Sequence, residues 1–119
     1  MKNYYQQKKG GWKLEPVIYA KTVKQIQCYR FFQKILEKEK QVSGAVVAEN
    51  TVAAKYVRAV DRGLERFVPE AYREAVFAHM VDGRSYADLE EACFVSASTL
   101  KRYVQAFVWG VAEELGENF

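Results

Sequence analysis

Apolar side chains recur every three or four residues along most of this chain, which is the spacing of helices that bury one face. The pattern predicts a helix over 16–40, a second over 46–67 and a third over 69–81. Pro16 and Pro69 suit helix starts. Proline has no amide hydrogen, and the amides of a helix's first turn have no hydrogen-bond partner within the helix. Gly63 interrupts the second pattern and is expected to kink that helix or end it early. No segment alternates as a strand does, so we expect an all-α helical bundle.

Two shorter helical patterns meet at a tight turn in the last third of the chain. Ser85 stands three residues before Asp88, which predicts that its hydroxyl caps the first turn of one helix. Ser96 is placed in the same way before a second helix that starts at Ala97. The few residues between these helices leave room only for a sharp bend. The bundle is therefore expected to end in a helix-turn-helix.

The second of these helices has one apolar and one polar side. Its apolar positions are Leu100, Tyr103, Val104, Phe107, Val108, Val111 and Leu115. Its polar positions, Ser98, Lys101, Arg102, Gln105 and Trp109, fall within an arc of roughly 100°. A recognition helix presents this chemistry to the major groove, because Arg or Lys can pair with guanine and Gln with adenine. An ordinary solvated helix face is the alternative interpretation.

Charge is unevenly distributed along the chain. Residues 1–40 carry ten Lys and Arg against three acidic residues, or +7, whereas 41–82 carry −1 and 83–119 carry −3. The expected DNA-reading unit is thus acidic, although phosphate neutralisation supplies much of the affinity of DNA-binding proteins. Either the basic N-terminal third lies beside the same groove, or a second subunit or RNA polymerase supplies the missing affinity.

The first fifteen residues mix lysines with tyrosine and tryptophan around a pair of glycines. Lys8, Lys9 and Lys13 suit an arm that follows a phosphate backbone, and an ordinary frayed terminus is the alternative. The pattern divides the chain into this arm at 1–15, a helical region at 16–67 and a DNA-binding region at 68–116.

Other classes of protein fit the sequence less well. No apolar run reaches membrane-spanning length and no secretion signal is visible, so we expect a cytoplasmic protein without a membrane partner. Cys28 and Cys93 lie in separate helices and are expected to be buried thiols. His79 has no partners spaced for a nucleophile or a metal. We therefore expect no enzyme activity, no metal and no cofactor.

A set of residues around the turn carries a resemblance to a known family. These residues are Gly83, Ser85, Tyr86, Leu89, Val95, Ser96, Ser98, Thr99, Leu100, Lys101 and Arg102. In this register, residues 72–115 resemble the DNA-binding region of phage late-gene transcription activators of the ArpU/RinA type, which are similar to region 4 of bacterial sigma factors. The resemblance implies a sigma region 4-like helix-turn-helix and a phage-encoded activator that works with RNA polymerase.

Two residues depart from that family pattern. Glu90 stands where a small residue usually lets the helices cross, so either it points sideways or the helices cross less tightly. Phe94 stands where glycine is common in the turn. We expect Phe94 to be covered by the core or by a partner.

Together these observations predict a sequence-specific DNA-binding transcription regulator that binds double-stranded DNA. The candidate contact residues are Ser96, Ser98, Thr99, Lys101, Arg102 and Gln105, with Arg84 and the arm residues Lys8, Lys9 and Lys13. One alternative is a small terminase subunit or another phage DNA-packaging accessory protein. A second is a protein-interaction module that docks through Trp109 and Phe94. Both a monomer and a homodimer reading two half-sites fit the sequence.

Overall fold

Helices make up most of the described chain, which comprises residues 6–8 and 11–117 of the computed structural model. The elements are β1 (Gln6–Lys8), β2 (Gly11–Lys13), α1 (Pro16–Gln27), α2 (Tyr29–Ser43), α3 (Ala45–Ala48), α4 (Val52–Phe67), α5 (Glu70–Met80), α6 (Tyr86–Cys93) and α7 (Ala97–Glu114). The all-α bundle predicted from the apolar spacing is confirmed. The β1–β2 hairpin is an addition that the apolar spacing does not indicate.

α7 is the central helix of the bundle. It packs against α1, α4, α5 and α6, and β2 lies alongside it. Its second half is buried on nearly every side, from Ala106 through Ala112 except for the half-buried Trp109. The helices of the N-terminal region and of the C-terminal region therefore share one core. Only the first half of α7, as far as Gln105, presents exposed side chains.

α4 and α7 cross closely because each carries a glycine at the contact. A methyl group placed on Gly63 would lie 2.8 Å from Cγ2 of Val111. A methyl group on Gly110 would collide with the ring of Phe67. The expectation that Gly63 kinks or ends its helix is wrong, since α4 continues to Phe67. Gly63 serves the packing of α4 against α7.

The first long predicted helix is divided at Cys28 into α1 and α2. Cys28 has φ −85° and ψ 4°, so the backbone leaves helical geometry there without a glycine or proline. α1 packs on α7 whereas α2 packs mainly on α4, which requires the two segments to diverge.

Cys28 is exposed and Cys93 is half-buried, so the prediction of two buried thiols is wrong.

The second predicted helix is also divided. Gly44, at φ 87°, separates α2 from the short α3, and Thr51 begins α4 by accepting a hydrogen bond from the amide of Ala54 at 3.2 Å.

The C-terminal end of α4 is capped by a side chain of α5. The Arg73 guanidinium donates to the carbonyl oxygens of Glu65 and Val68, each at 2.9 Å. These caps satisfy backbone groups that a helix end leaves without partners.

The hairpin joins the N-terminal segment to the bundle. β1 and β2 pair antiparallel, with Gln6 opposite Lys13 and Lys8 opposite Gly11. Leu14, which follows β2, packs against the core. Within the described residues, no helix has both the length and the apolar character needed to cross a membrane.

Candidate nucleic-acid interface

α5, α6 and α7 form a compact helical unit around a shared apolar centre. Val76 of α5, Leu89 of α6 and Leu100 of α7 are each completely buried. Gly83, at φ 72°, turns the chain between α5 and α6, and residues 94–96 connect α6 to α7. These elements place the start of α7 at the surface of the unit.

Both serine caps predicted from the sequence are present. The Ser85 hydroxyl accepts a hydrogen bond from the Asp88 amide at 3.1 Å, and the Ser96 hydroxyl accepts one from the Thr99 amide at 3.5 Å. The two helices begin at the residues following these caps, as expected. Capping is a local interaction, which is why the sequence locates both helix starts.

Four polar side chains of α7 lie on one solvent-exposed strip, which we call the polar edge: Ser98, Lys101, Arg102 and Gln105. Leu100 and Val104, between them in sequence, are buried on the opposite side of the helix. Trp109 does not belong to this strip as the helical repeat suggested. It is half-buried, and its ring meets the ring of Phe67 at 5.3 Å in an edge-on contact.

Each of the two cations of the polar edge lies near an aromatic ring. Lys101 Nζ lies 5.2 Å from the centre of the Tyr86 ring, and the Arg102 guanidinium lies 5.6 Å from that of Tyr103. Among residues 6–8 and 11–117, neither cation forms an ion pair with a carboxylate. Their charges are therefore available to an anionic ligand.

Ser98 and the remaining candidates on this unit lie in local contacts or are partly buried. The Ser98 hydroxyl lies 2.8 Å from that of Ser96, and Thr99 is half-buried. Arg84 is exposed and reaches Asp88 at 3.5 Å. The carbonyl oxygen of Arg84 lies 2.7 Å from Nδ1 of His79, whose ring stacks on Tyr86 with centroids 3.9 Å apart. Burial raises the pKa of the Tyr86 phenol.

Glu90 takes a role that sequence reasoning missed. Its carboxylate accepts a hydrogen bond from the amide of Ala97 at 2.9 Å, so a residue of α6 caps the first turn of α7. A negative charge is favourable at a helix N-terminus, where the aligned peptide dipoles leave a partial positive charge. Glu90 is exposed, so its side chain is not buried between the two helices, which agrees with the sideways orientation.

Phe94 is not covered by the core. It is 94% exposed and has φ 55° and ψ 42°, the left-handed conformation that closes α6. It is the one non-glycine residue with positive φ among those described. Glycine adopts this backbone geometry without cost, whereas a bulky side chain is strained there.

The acidic residues of the last third are divided between the two ends of α7. Glu114 pairs with Arg66 and with Arg62, the latter at 3.8 Å, and Glu117 pairs with Lys21 at 2.6 Å. Glu114 lies about 24 Å along the helix from Ser98, since a helix rises about 1.5 Å per residue, and Glu117 follows the end of α7. Near the polar edge, Asp88, Glu90 and Glu91 offset Arg84, Lys101 and Arg102, so this end of the unit has no net charge.

The lysines of the N-terminal segment are only partly within the described structure. The backbones of Lys8 and Lys13 lie in the hairpin, whose strand β2 runs beside α7. Lys9 lies outside the described residues.

Residues 6–8 and 11–117 contain no cluster of His, Cys, Asp or Glu that could hold a metal ion. Comparisons with protein-family models, with curated proteins and with solved structures gave no match to this chain. Functional inference therefore depends on the chain's own residues and their geometry.

Proposed function

We propose that this chain is a sequence-specific DNA-binding transcription regulator that reads the major groove with the start of α7. The observation that carries the proposal is the polar edge, where Ser98, Lys101, Arg102 and Gln105 are exposed on a helix whose second half is buried. Because α7 is held by four other helices, its exposed turns form a rigid projection rather than a flexible loop.

Each member of the polar edge suits a distinct contact. Arg102 can donate two parallel hydrogen bonds to guanine, and Gln105 can pair with adenine. Lys101 suits a phosphate, because its compact charge needs no fixed orientation. Ser98 can exchange its hydrogen bond with Ser96 for one to a base or a phosphate. We expect Arg84 to contact the phosphate backbone beside α6.

The neutral surroundings of the polar edge mean that non-specific affinity has to come from elsewhere. The hairpin beside α7 carries Lys8 and Lys13, and the N-terminal segment as a whole is strongly basic. We propose that these lysines contact phosphates next to the groove occupied by α7. RNA polymerase is the further partner implied by the resemblance to late-gene activators.

The test is selection of bound sequences from a random DNA pool, followed by fluorescence-anisotropy titration. Arg102→Ala should reduce discrimination between selected and scrambled DNA by about 1 to 3 kcal/mol, the worth of one bidentate base contact. Lys34→Ala, which removes an exposed cation from α2, is the matched control and should leave discrimination unchanged. An unchanged ratio for Arg102→Ala would exclude that residue from base recognition.

The exposure of Phe94 favours one alternative, a protein-interaction module. A chain of that kind would select no DNA sequence from the pool. DNA packaging, the other alternative, is separated by where the tagged protein binds in cells. Chromatin immunoprecipitation should give a peak upstream of an operon for a regulator and a peak at a packaging site for a terminase subunit.

A further inference from the structure

His79, in the last turn of α5, is the only histidine in the chain. Its imidazole ring stacks on the phenol ring of Tyr86, with the ring centroids 3.9 Å apart and the ring planes inclined by 23°. Its Nδ1 lies 2.7 Å from the carbonyl oxygen of Arg84, and the Arg84 amide donates to the carbonyl oxygen of Ala78 at 3.1 Å. The imidazole is therefore held between the end of α5, the turn that follows and α6.

The same phenol ring connects His79 to the polar edge of α7. Lys101 Nζ lies 5.2 Å from the centre of the Tyr86 ring. Tyr86 is half-buried and packs against the core, so its ring is a fixed support for both neighbours. A charge on the imidazole of His79 is therefore placed close to the ammonium group of Lys101.

The hydrogen bond to Arg84 determines which nitrogen of His79 gains a proton. A carbonyl oxygen only accepts hydrogen bonds, so Nδ1 carries the hydrogen of the neutral ring and Nε2 is the basic nitrogen. Proton uptake at Nε2 leaves the bond from Nδ1 to the Arg84 carbonyl intact. Histidine ordinarily gains its proton between about pH 8 and about pH 5, so the ring can change charge near neutral pH without leaving its place.

The groups around His79 do not neutralise such a charge. Among residues 6–8 and 11–117, no carboxylate lies within ion-pair distance of the imidazole. Helices α1, α4, α6 and α7 pack against α5, and α4 does so beside Arg73, in the first half of α5. The other charged and titratable neighbours are Tyr19 of α1, Tyr86 and Asp88 of α6, Lys101 of α7, and Asp82 and Arg84 of the turn. Both carboxylates are already shared with arginines, Asp82 with Arg30 at 3.4 Å and Asp88 with Arg84 at 3.5 Å.

We propose that His79 is a proton-sensitive switch through which the polar edge binds nucleic-acid phosphate more tightly as pH falls below neutral. This inference rests on the proposed function, because it concerns the same end of α7. That end has no net charge while His79 is neutral, and it has a charge of +1 once His79 is protonated. An imidazolium on the Tyr86 ring also repels the Lys101 ammonium, which favours the contact of Lys101 with phosphate.

The sign of the pH dependence follows from linkage. Phosphate binds the protonated chain more tightly, so DNA binding takes up protons. Affinity therefore rises as pH falls through the range in which His79 gains its proton, and it levels off below that range.

Fluorescence-anisotropy titrations with one labelled duplex, at constant ionic strength and at about pH 8 and about pH 5.5, test the switch. His79→Phe keeps an aromatic ring beside Tyr86, and His79→Gln keeps a donor for the Arg84 carbonyl, but neither side chain gains a proton. The gain in affinity at the lower pH should be about threefold larger for the wild type than for either variant. This is the effect of a unit charge about 7 Å from a phosphate in water.

A relocated histidine separates local charge from overall charge. His79→Phe combined with Gln41→His gains the same charge at an exposed position of α2, and it should keep the smaller gain of His79→Phe. Lys101→Gln tests the link through the Tyr86 ring, and its gain should also be smaller than that of the wild type.

Calorimetric titration in two buffers of different ionisation enthalpy counts the protons taken up when DNA binds. At about pH 6.5, where histidine is half protonated, the wild type should take up more protons than His79→Phe. Absence of DNA binding at both pH values would overturn the proposed function and the switch together. Equal gains in the wild type and His79→Phe, recovery of the gain by Gln41→His, an unchanged gain in Lys101→Gln or equal proton uptake would overturn the switch alone.

Discussion

Single residues at the start of α7 determine both its stability and its charge. The Glu90 carboxylate bonds to the Ala97 amide, while Lys101 and Arg102 remain without carboxylate partners among residues 6–8 and 11–117. A carboxylate at this position stabilises the helix but repels an incoming phosphate. The two effects can therefore be separated by removing Glu90.

Glu90→Ala should lower the free energy of unfolding by about 1 kcal/mol, because it removes a charged cap from α7. The same change should strengthen DNA binding, since one negative charge leaves the neighbourhood of the polar edge. Glu91→Ala is the matched control, an exposed glutamate of α6 for which we expect a change within about 0.5 kcal/mol. Urea unfolding at low protein concentration gives the stability. Equal losses in both variants would contradict the capping role of Glu90.

Residue-level prediction from sequence succeeded where the interaction is local. The Ser85 and Ser96 caps depend only on amides three residues further along, so the spacing identifies both. Glu90 reaches seven residues forward across a turn, and no short motif indicates such a contact. Trp109 follows the polar repeat of α7, but Phe67 of α4 covers it, and a helical repeat carries no information about neighbouring helices.

At the scale of elements, the crossing of α4 and α7 depends on two glycines. Gly110→Ala should lower the free energy of unfolding by about 1–3 kcal/mol, although alanine is the better helix former, because the new methyl group would overlap the Phe67 ring. Gly63→Ala should cost less, since its nearest obstacle is one methyl group of Val111 at 2.8 Å. Thermal and urea unfolding of the two variants measure both costs. A stabilising Gly110→Ala would contradict the close crossing.

The contact between α2 and α4 introduces a pH dependence. The Tyr29 hydroxyl donates to Asp61 at 2.8 Å, and burial together with this bond raises the pKa of Tyr29 from 10.0 to about 12. As pH rises, the unfolded chain releases the phenolic proton before the folded chain does. The contribution of this group to the free energy of unfolding is therefore retained below pH 10. It falls as pH rises from 10.0 towards about 12.

Tyr29→Phe tests this contribution. The wild type should be more stable than the variant by about 1 kcal/mol near neutral pH, from the hydrogen bond that the variant lacks. As pH rises above 10, the free energy of unfolding of the wild type should decrease by about 1–2 kcal/mol more than that of the variant. Urea unfolding at a series of pH values measures both quantities. A stability difference that does not change with pH would contradict the raised pKa.

Helix positions were predictable from apolar spacing, but helix breaks were not. The segment 16–40 has helical spacing throughout, and nothing at Cys28 indicates a break. The break arises because α1 and α2 pack on different helices, which is a property of the folded chain. Likewise, the low helix propensity of glycine predicted that Gly63 kinks or ends its helix, whereas its role is to let α7 pack closely.

At the scale of the whole molecule, charge is separated along α7. The carboxylates of Glu114 and Glu117 are paired with cations of α4 and α1 at one end, and the polar edge lies at the other. The sequence count of −3 for the last third therefore overstates the repulsion at the polar edge. The uneven charge could be read from the sequence, but the distance between the acidic end and the polar edge required the fold.

Because the end of the molecule around the polar edge has no net charge, DNA affinity is expected to depend on the basic N-terminal segment. Replacing Lys8, Lys9 and Lys13 with Gln should weaken binding to selected and scrambled DNA alike. It should reduce the slope of log affinity against log salt by up to about 3, because each phosphate contact contributes about 0.9. Lys34, Lys38 and Lys55 replaced with Gln form the control, which makes the same change in net charge on α2 and α4. Anisotropy titrations at several salt concentrations measure the slope. If both triple variants lose affinity equally, overall charge and not contact by Lys8, Lys9 and Lys13 sets the affinity of this chain.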